Sequence, residues 1–241
     1  ITNNYGIYAY GGRTGIVVRK LQIYQAYRGI YWTNVRNSRI EMVTTRNSAA
    51  RGIHLGGSDT NVLTHITSSN NGDAGVSVDS SDSVTVIQIE SFDNGGEGIW
   101  LNSGDSMALL NSRSEGNAAI GVHLTSVTGL IMAENTIRNN RLEGVLLDGG
   151  GDGHIFRENI SAGNKGDGFA LSIGAKIRVE RNLSAQNDSD GFDVSVTNSV
   201  FIQNASESNA LYQFRLASSA SGDKITLIFI VQARLKLLSS S

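Results

Sequence analysis

The sequence contains no cysteine and no proline among its 241 residues, and only 17% of the residues are charged. The absence of cysteine excludes disulfides and thiol chemistry and leaves the redox compartment open. No apolar run approaches the roughly 20 residues of a membrane-spanning helix, so no membrane partner is expected. The first residues show neither a signal-peptide pattern nor an initiator methionine, so we expect a mature product or an excised fragment.

Charge and aromatic residues are unevenly distributed along the chain. Residues 1–51 contain eight Lys or Arg and a single Glu, whereas residues 52–214 contain eight Lys or Arg and twenty Asp or Glu. Six of the seven tyrosines lie within the first 31 residues. The beginning of the chain is therefore basic and aromatic and the middle is acidic. Nucleic acid is the weaker candidate partner, because the acidic middle would repel a long polyanion.

A glycine followed by an aliphatic residue or phenylalanine recurs about every 23 residues. Two residues after this aliphatic or phenylalanine position stands a second position that is mostly apolar. Residues two apart point to the same side of a strand, so this spacing indicates a strand with one buried face. Glycine is expected here because it permits the backbone conformation of a corner. The glycines are Gly6, Gly29, Gly52, Gly75, Gly98, Gly121, Gly144, Gly168 and Gly191, with Gln213 in a degenerate tenth copy.

A repeat this short cannot bury its own apolar face, so it must stack on its neighbours. Each coil then adds one strand to each of several parallel sheets, at about 4.8 Å per coil. The sequence therefore predicts an all-β fold, a single-stranded right-handed parallel β-helix of about ten coils. We assign residues 1–217 to the coils and residues 218–241 to an irregular C-terminal coil or cap, with a strand favoured through Val231.

An asparagine stands four residues before most of these glycines. Stacked Asn side chains can donate and accept hydrogen bonds along the axis, so we expect an asparagine ladder at one turn. The sequons at Asn159, Asn182 and Asn204 recur at about the same interval, so we interpret them as repeat positions and not as evidence of glycosylation. The ladder positions are Asn71, Asn94, Asn117, Asn140, Asn164, Asn187 and Asn209.

The Gly-aliphatic-x-aliphatic motif and its Asn turn resemble the right-handed parallel β-helix repeat superfamily over about residues 5–217. This superfamily includes pectate-lyase-like enzymes, alginate epimerases, NosD-like proteins and phage tail spikes. The resemblance implies a fold, and function has to be argued from a site. The alginate-epimerase motif Tyr-Gly-Phe-Asp-Pro-His-Asp is matched here only by Gly191, Phe192 and Asp193. Its Tyr and His are replaced, which argues against that activity at this position and leaves Asp193 as a surface carboxylate.

The residue between the two buried positions of each repeat should point outward. Aromatic rings suit sugar faces and Arg suits carboxylates, so this outer face predicts a polysaccharide-binding groove. The alternative is that outward Tyr and Trp are ordinary strand formers. The predicted substrate-binding residues on this face and its corner are Tyr8, Arg28, Trp100, His123 and Glu97.

Tyr31 and His54 lie one repeat apart on this face, beside Arg51 and with Asp79 on the next repeat. Proton abstraction next to a uronate carboxylate needs a base, an acid and a group that neutralises the carboxylate. The catalytic hypothesis assigns Tyr31 and His54 as base and acid, Arg51 or Arg28 as the neutraliser, and Asp79 as the group that orients His54. The activity would be that of a polysaccharide lyase or a uronate C5-epimerase, and the alternative is an outer face without catalysis.

No metal site and no cofactor are predicted. His65 and His154 have no ligand partners at metal-binding spacing. The segment 149–153, Gly-Gly-Gly-Asp-Gly, resembles one calcium-binding nonapeptide. Such sites need stacked copies, so we interpret the segment as the insertion that lengthens one turn.

Two classes of function stay open. The first is a protein that binds or processes an acidic polysaccharide, outside the cell or at its surface. The second is a structural or adhesive β-helix that self-associates in a larger fibre or assembly. The second class is motivated by a repeat that begins within five residues of the first residue, and by the apolar stretch Ile225 to Val231, which favours pairing.

Overall fold

The computed structural model describes residues 4–226, 229–231 and 235–237, and the regular elements in these residues are all β-strands. Successive coils pair in parallel, with Ile30 opposite Ile53 and Ile53 opposite Val76. The chain therefore forms a parallel β-helix of about ten coils, which confirms the predicted fold class. No helix in this part of the chain is long and apolar enough to cross a membrane.

The first sheet contains eleven strands stacked in chain order, one from each of the ten predicted repeats and one, β27, from the C-terminal residues. They are β1 (Ile7–Thr14), β3 (Ile30–Arg36), β5 (Ile53–Gly56), β7 (Val76–Asp79), β9 (Ile99–Asn102), β12 (Val122–Thr125), β15 (Val145–Asp148), β18 (Phe169–Leu171), β21 (Phe192–Val194), β24 (Phe214–Leu216) and β27 (Leu235–Leu237).

The second sheet contains sixteen strands and branches along its length. Four long strands span its whole width, namely β2 (Val17–Tyr24), β4 (Arg39–Arg46), β6 (Val62–Ser69) and β8 (Thr85–Phe92). Each later coil contributes two short strands separated by a bend. The first row is β10 (Ala108–Leu110), β13 (Ile131–Ala133), β16 (Ile155–Arg157), β19 (Arg178–Glu180), β22 (Val200–Ile202) and β25 (Lys224–Thr226). The second row is β11 (Arg113–Glu115), β14 (Thr136–Arg138), β17 (Ile160–Ala162), β20 (Leu183–Ala185), β23 (Ala205–Glu207) and β26 (Phe229–Val231).

The two predicted apolar columns of the first sheet face the interior, because alternate side chains of a strand point to the same side. Ile53 aligns with Val76 in one column and Leu55 aligns with Val78 in the other, and all four side chains are buried. The opposite wall is built by the second sheet, where Leu63 is also buried. One continuous apolar core therefore runs along the axis between the sheets.

The last strand of each coil is absent from the sequence-based prediction, because its inward residue is usually serine and not an aliphatic residue. Ser91 Oγ donates a hydrogen bond to the Gly98 carbonyl oxygen at 2.6 Å and accepts one from Asn94 Nδ2 at 3.1 Å. A polar side chain is tolerated inside because it is fully hydrogen-bonded. The signal in the sequence is the recurring pattern Ser-x-x-Asn. The serines are Ser68, Ser91, Ser114, Ser161, Ser184 and Ser206.

The predicted asparagine ladder is present and buried. Asn117 Oδ1 accepts hydrogen bonds from Asn94 Nδ2 at 3.0 Å and from the Asn94 backbone N–H at 3.1 Å. Each rung therefore satisfies one side-chain donor and one backbone donor of the preceding coil.

A second ladder lies at the bend between the two short strands of the later coils. Nδ2 of each asparagine donates to Oδ1 of the next at 2.9 to 3.1 Å. Its members are Asn135, Asn159, Asn182 and Asn204. The three sequon asparagines are among them and are 0 to 1% exposed, as expected of repeat positions.

Glycine at the strand entrance is required by close packing, which corrects the reason given from the sequence. Gly98 lies outside the left-handed φ region, so its backbone conformation is open to any residue. A Cβ on Gly98 would lie 2.6 Å from Asn117 Nδ2 and 2.7 Å from the Gly121 carbonyl oxygen, and would overlap Ser114 Oγ. The glycine column therefore makes room for the hydrogen-bonded Ser and Asn side chains of the next coil.

Three described strands lie within residues 218–241 and continue the sheets. β25, β26 and β27 pair in parallel with β22, β23 and β24 of the preceding coil. The strand favoured through Val231 is present as β25 and β26, and residues 227 and 228 lie outside the described residues. The boundary between coils and cap at residue 217 stays a prediction.

Candidate functional site

The outer side chains of the first sheet stack along the axis because its strands pair residue by residue. Tyr8 aligns with Tyr31, Tyr31 with His54, and Trp100 with His123. The predicted residues of this column therefore share one face of the β-helix. The face is open at Tyr8, which is 48% exposed, and closed at His54, which is 9% exposed because Arg51 lies against it.

A stack of four aromatic rings begins at the open end of this face and ends at the buried His54. Ring centroids are 5.0 Å apart for Tyr10 and Tyr8, 5.3 Å for Tyr8 and Tyr31, and 4.8 Å for Tyr31 and His54. The Arg28 guanidinium carbon lies 4.6 Å from the centre of the Tyr31 ring. The arrangement is a continuous aromatic surface with a cation beside it.

Arg51 is the centre of a cluster that links three coils. Its Nε donates to Asp73 Oδ2 at 3.1 Å, and its Nη1 donates to Asp79 Oδ2 at 2.8 Å and to Ser77 Oγ at 2.9 Å. Its guanidinium carbon lies 4.9 Å from the centre of the Trp100 ring. Two carboxylates already neutralise this guanidinium, and only 15% of its side chain is exposed. Arg51 is therefore poorly placed to neutralise a substrate carboxylate.

His54 and Asp79 form a close pair beside Arg51. His54 Nε2 lies 2.7 Å from Asp79 Oδ2, which is the geometry that an orienting role for Asp79 requires. Burial alone would raise the pKa of Asp79, but the hydrogen bond from His54 and the charge of Arg51 outweigh it and lower that pKa. His54 Nδ1 and Asp79 Oδ1 are buried and have no hydrogen-bond partner among the described residues.

Trp100 and His123 form a second cluster further along the same face. Their rings are stacked, with centroids 5.9 Å apart and an interplanar angle of 11°. His123 Nε2 lies 3.1 Å from Asp148 Oδ1, and His123 Nδ1 lies 3.8 Å from Glu97 Oε1. Burial would lower the pKa of His123, but interactions with Glu97 and Asp148 outweigh it and raise that pKa. The interaction with His123 in turn lowers the pKa of Glu97.

Two carboxylates that sequence reasoning left out of the site hold predicted residues in place. Asp73 binds Arg51 and Asp148 binds His123, each from the next coil. A sequence signal that could have identified them is an acidic residue about one repeat after an Arg or His. Parallel stacking of the coils brings two such positions together.

The two ends of this face, the exposed aromatic rings and the pair of Asp79 with the buried His54, can support different interactions with a ligand. The exposed rings and Arg28 can contact a flat apolar surface and an anion. The His54–Asp79 pair has the geometry of a proton-transfer pair, but His54 is buried. Tyr31, the remaining predicted catalytic residue, is half-buried, and its ring stacks with both neighbouring rings of the column.

One group of carboxylates in the described part of the chain has the spacing of a metal site. Oxygen atoms of Asp167, Asp190 and Asp193 lie within 4.8 Å of one another. Arg215 forms ion pairs with both Asp190, at 2.5 Å, and Asp193. Burial, against the charge of Arg215, raises the pKa of Asp193. Arg215 already supplies the positive charge that a cation would bring, so the cluster gives no argument for a metal.

The chain is similar to several solved structures. The periplasmic alginate epimerase AlgG superposes with a TM-score of 0.71 at 14% identity, over 87% of this chain and 61% of the epimerase. The pectate lyase Pel9A superposes with a TM-score of 0.62 at 15% identity, over 79% of this chain and 56% of the lyase. The surface adhesin PfbA of Streptococcus pneumoniae superposes with a TM-score of 0.57 at 12% identity, over 84% of this chain and 69% of the adhesin. This chain thus spans less than two-thirds of the epimerase and of the lyase, and identities this low show the fold alone.

A comparison with curated protein sequences finds no match. The sequence model of the family described as right handed beta helix region matches residues 5–161 and 121–227. These matches include both aromatic clusters of the candidate site and most of the coils. The chain therefore belongs to the right-handed β-helix family.

Proposed function

We propose that the protein binds an acidic polysaccharide along the outer face of the first sheet. The observation that carries the proposal is the exposed aromatic stack with Arg28 beside it. Arg28 stacks on Tyr31 and forms no ion pair with a carboxylate among the described residues, unlike Arg51. A carboxylate on a bound sugar would therefore find an uncommitted guanidinium next to an aromatic surface.

The energetics of this end favour a ligand that is both flat and anionic. Tyr8 and Tyr10 are 48% and 57% exposed, and exposed aromatic patches on soluble proteins mark interaction sites. Arg binds carboxylates through two parallel hydrogen bonds, which gives affinity and orientation together. Uronate sugars combine a ring face with a carboxylate, so they match both features.

The likeness to known β-helices supports the same class of ligand. Two of the similar structures are named for activity on alginate and on pectate. One similar structure is named as periplasmic and another as a surface protein, so we also propose an extracellular or cell-surface location.

Replacing Arg28 by Gln should weaken binding of alginate and polygalacturonate about tenfold or more, because a charge-assisted hydrogen bond contributes about 1.5–3 kcal/mol. Isothermal titration calorimetry measures the change. Arg19→Gln is the matched control, since it removes the same charge from an exposed position on the second sheet. Equal affinities for the two variants, or no binding by the unmodified protein, would contradict the proposal.

We expect the bound polysaccharide to be recovered chemically unchanged. His54 is buried and Arg51 is paired with Asp73 and Asp79, so the His54 imidazole and the Arg51 guanidinium are not available to a bound sugar. Ultraviolet absorbance detects unsaturated lyase products, and NMR of the uronates detects epimerisation. Turnover that is abolished by His54→Gln would instead support the catalytic hypothesis for Tyr31, His54, Arg51 and Asp79.

A structural or adhesive role is the second candidate, favoured by the likeness to the adhesin PfbA. Binding without turnover is what such a role requires. The turnover assay therefore separates the adhesive function from the enzymatic one while leaving the ligand class unchanged.

A further inference from the structure

A trough lies on the second sheet, on a different side of the β-helix from the aromatic stack. It follows a bend in the sheet that is marked by one left-handed residue per coil, inside the long strands β6 and β8 and between the two short strands of the later coils. These bend residues are His65, Gln88, Asn111 and Glu134, with φ of 53°, 55°, 48° and 58°. The bend makes the outer surface concave and leaves a cavity of about 700 Å³.

Polar side chains line the trough in two parallel columns. The first column is the bend itself, and its four side chains are exposed. The second column is formed by side chains that align across neighbouring strands, namely Thr67, Glu90, Arg113 and Thr136. Every coil along the trough therefore presents two hydrogen-bonding groups to a ligand that runs parallel to the axis.

An aromatic ring lies beside the trough, further along the same coils. A second cavity of about 360 Å³ shares Arg113 with the first and is lined by the half-exposed ring of Phe92. An aromatic ring beside a row of amide, carboxylate and guanidinium groups offers both a surface for a sugar face and partners for its hydroxyl groups.

The charges of the trough are mixed, which separates it from the basic aromatic end of the first sheet. Glu90 and Glu134 line it together with Arg113 and Arg138. The two arginines share Glu115, which lies 3.0 Å from Arg138 Nε and contacts Arg113. A polyanion would meet the carboxylates and find both guanidinium groups already paired. The charge pattern therefore favours a neutral ligand that is rich in hydroxyl groups.

The spacing of the columns favours a sugar chain over a peptide. Like positions repeat at the coil spacing of about 4.8 Å, whereas an extended peptide advances only about 3.3 Å per residue. One pyranose unit in an extended β-linked glycan is close to the coil spacing in length. We propose that the trough is a second polysaccharide-binding site, which takes a neutral β-linked glycan with about one sugar per coil.

The test uses neutral hexasaccharides of β-1,4-linked glucose, mannose and xylose and of β-1,3-linked glucose as probes. NMR titration of the isotope-labelled protein should shift the amide signals of Gln88, Asn111 and Arg113 with at least one probe. The double variant Glu90→Ala/Arg113→Ala removes one charge of each sign and should weaken that binding at least tenfold. Lys165→Ala/Asp188→Ala is the matched control, because it removes an exposed ion pair of 2.7 Å outside the trough.

The proposals for the two binding sites are tested independently of each other. Arg28→Gln should leave neutral-glycan binding unchanged, and the trough variant should leave alginate binding unchanged. Shifts confined to the first sheet, or no shift with any of the four probes, would overturn the second site. Neither outcome would affect the proposal for the acidic polysaccharide, which rests on the alginate titration.

Discussion

Gly98→Ala should lower the free energy of unfolding by about 3 kcal/mol or more, at the upper end of the range for overpacked cores. The new methyl group would overlap Ser114 Oγ and lie 2.6 Å from Asn117 Nδ2. Ser114 cannot move away freely, because its hydroxyl donates to the Gly121 carbonyl oxygen at 2.7 Å. The substitution therefore disturbs the serine contacts, the asparagine ladder and the coil contact together. Urea unfolding followed by circular dichroism measures the loss.

Gly56→Ala is the matched control for this prediction. Gly56 also lies on the first sheet, but a Cβ there would meet only His54 Nε2, at an ordinary 3.8 Å. Its backbone is not left-handed, so alanine should be neutral or should stabilise by up to about 1 kcal/mol through the unfolded state. A similar destabilisation by both substitutions would show that close packing at the strand entrance is not the reason for the glycine column.

Acidification from about pH 6.5 to pH 4 should cost about 3 kcal/mol of stability through His154 alone. Burial lowers the pKa of His154 to about 4, despite the nearby charge of Asp152. The side chain is fully buried, and its Nδ1 accepts a hydrogen bond from the Leu130 N–H at 3.3 Å. In the unfolded chain the imidazole takes up a proton below its ordinary pKa, whereas in the folded chain it stays neutral until about pH 4. The unfolded state therefore binds more protons in this range, and stability falls as the pH falls.

His154→Asn should flatten this pH dependence. An asparagine oxygen can accept the same backbone hydrogen bond, as Asn61 Oδ1 does from the Ser38 N–H at 2.8 Å. Urea unfolding near neutral pH and near pH 4.5 gives the difference in free energy, and His65→Asn at an exposed position is the control. Carboxylate titration contributes equally to all three proteins and cancels in the comparison. Parallel pH profiles for the unmodified protein and His154→Asn would contradict the assignment.

The fold could be predicted from the sequence because its main determinants repeat in one register. The Gly-aliphatic pairs mark the first sheet in nine of the ten repeats, and the asparagines four residues earlier mark one ladder in seven of them. The last strand could not be predicted from hydrophobic alternation, because residues such as Ser91 are buried through hydrogen bonds to Gly98 and Asn94. A search that counts only apolar residues does not detect a strand whose buried residues are polar.

The sequence predicted which residues share the outer face of the first sheet, but not which side chains contact one another there. Repeat spacing placed Tyr31 next to His54, because strand register fixes which outer residues stack. It could not show that Arg51 extends across Ser77 to reach Asp79, since a long side chain has many rotamers and its choice depends on distant partners. The burial of His54 follows from that choice, because Arg51 lies against its ring.

The stacking direction of the coils has a mechanical consequence. The backbone and ladder hydrogen bonds that join coils run along the axis, so a pulling force applied between the two ends loads every interface between coils in series. Such a rod yields at its weakest junction and then unravels coil by coil. A force applied across the axis is instead shared by many junctions at once. A ligand that lies along the outer face and contacts several coils would strengthen the rod against this force. Its contacts bridge the junctions between coils, so the hydrogen bonds at each junction no longer bear the whole tension.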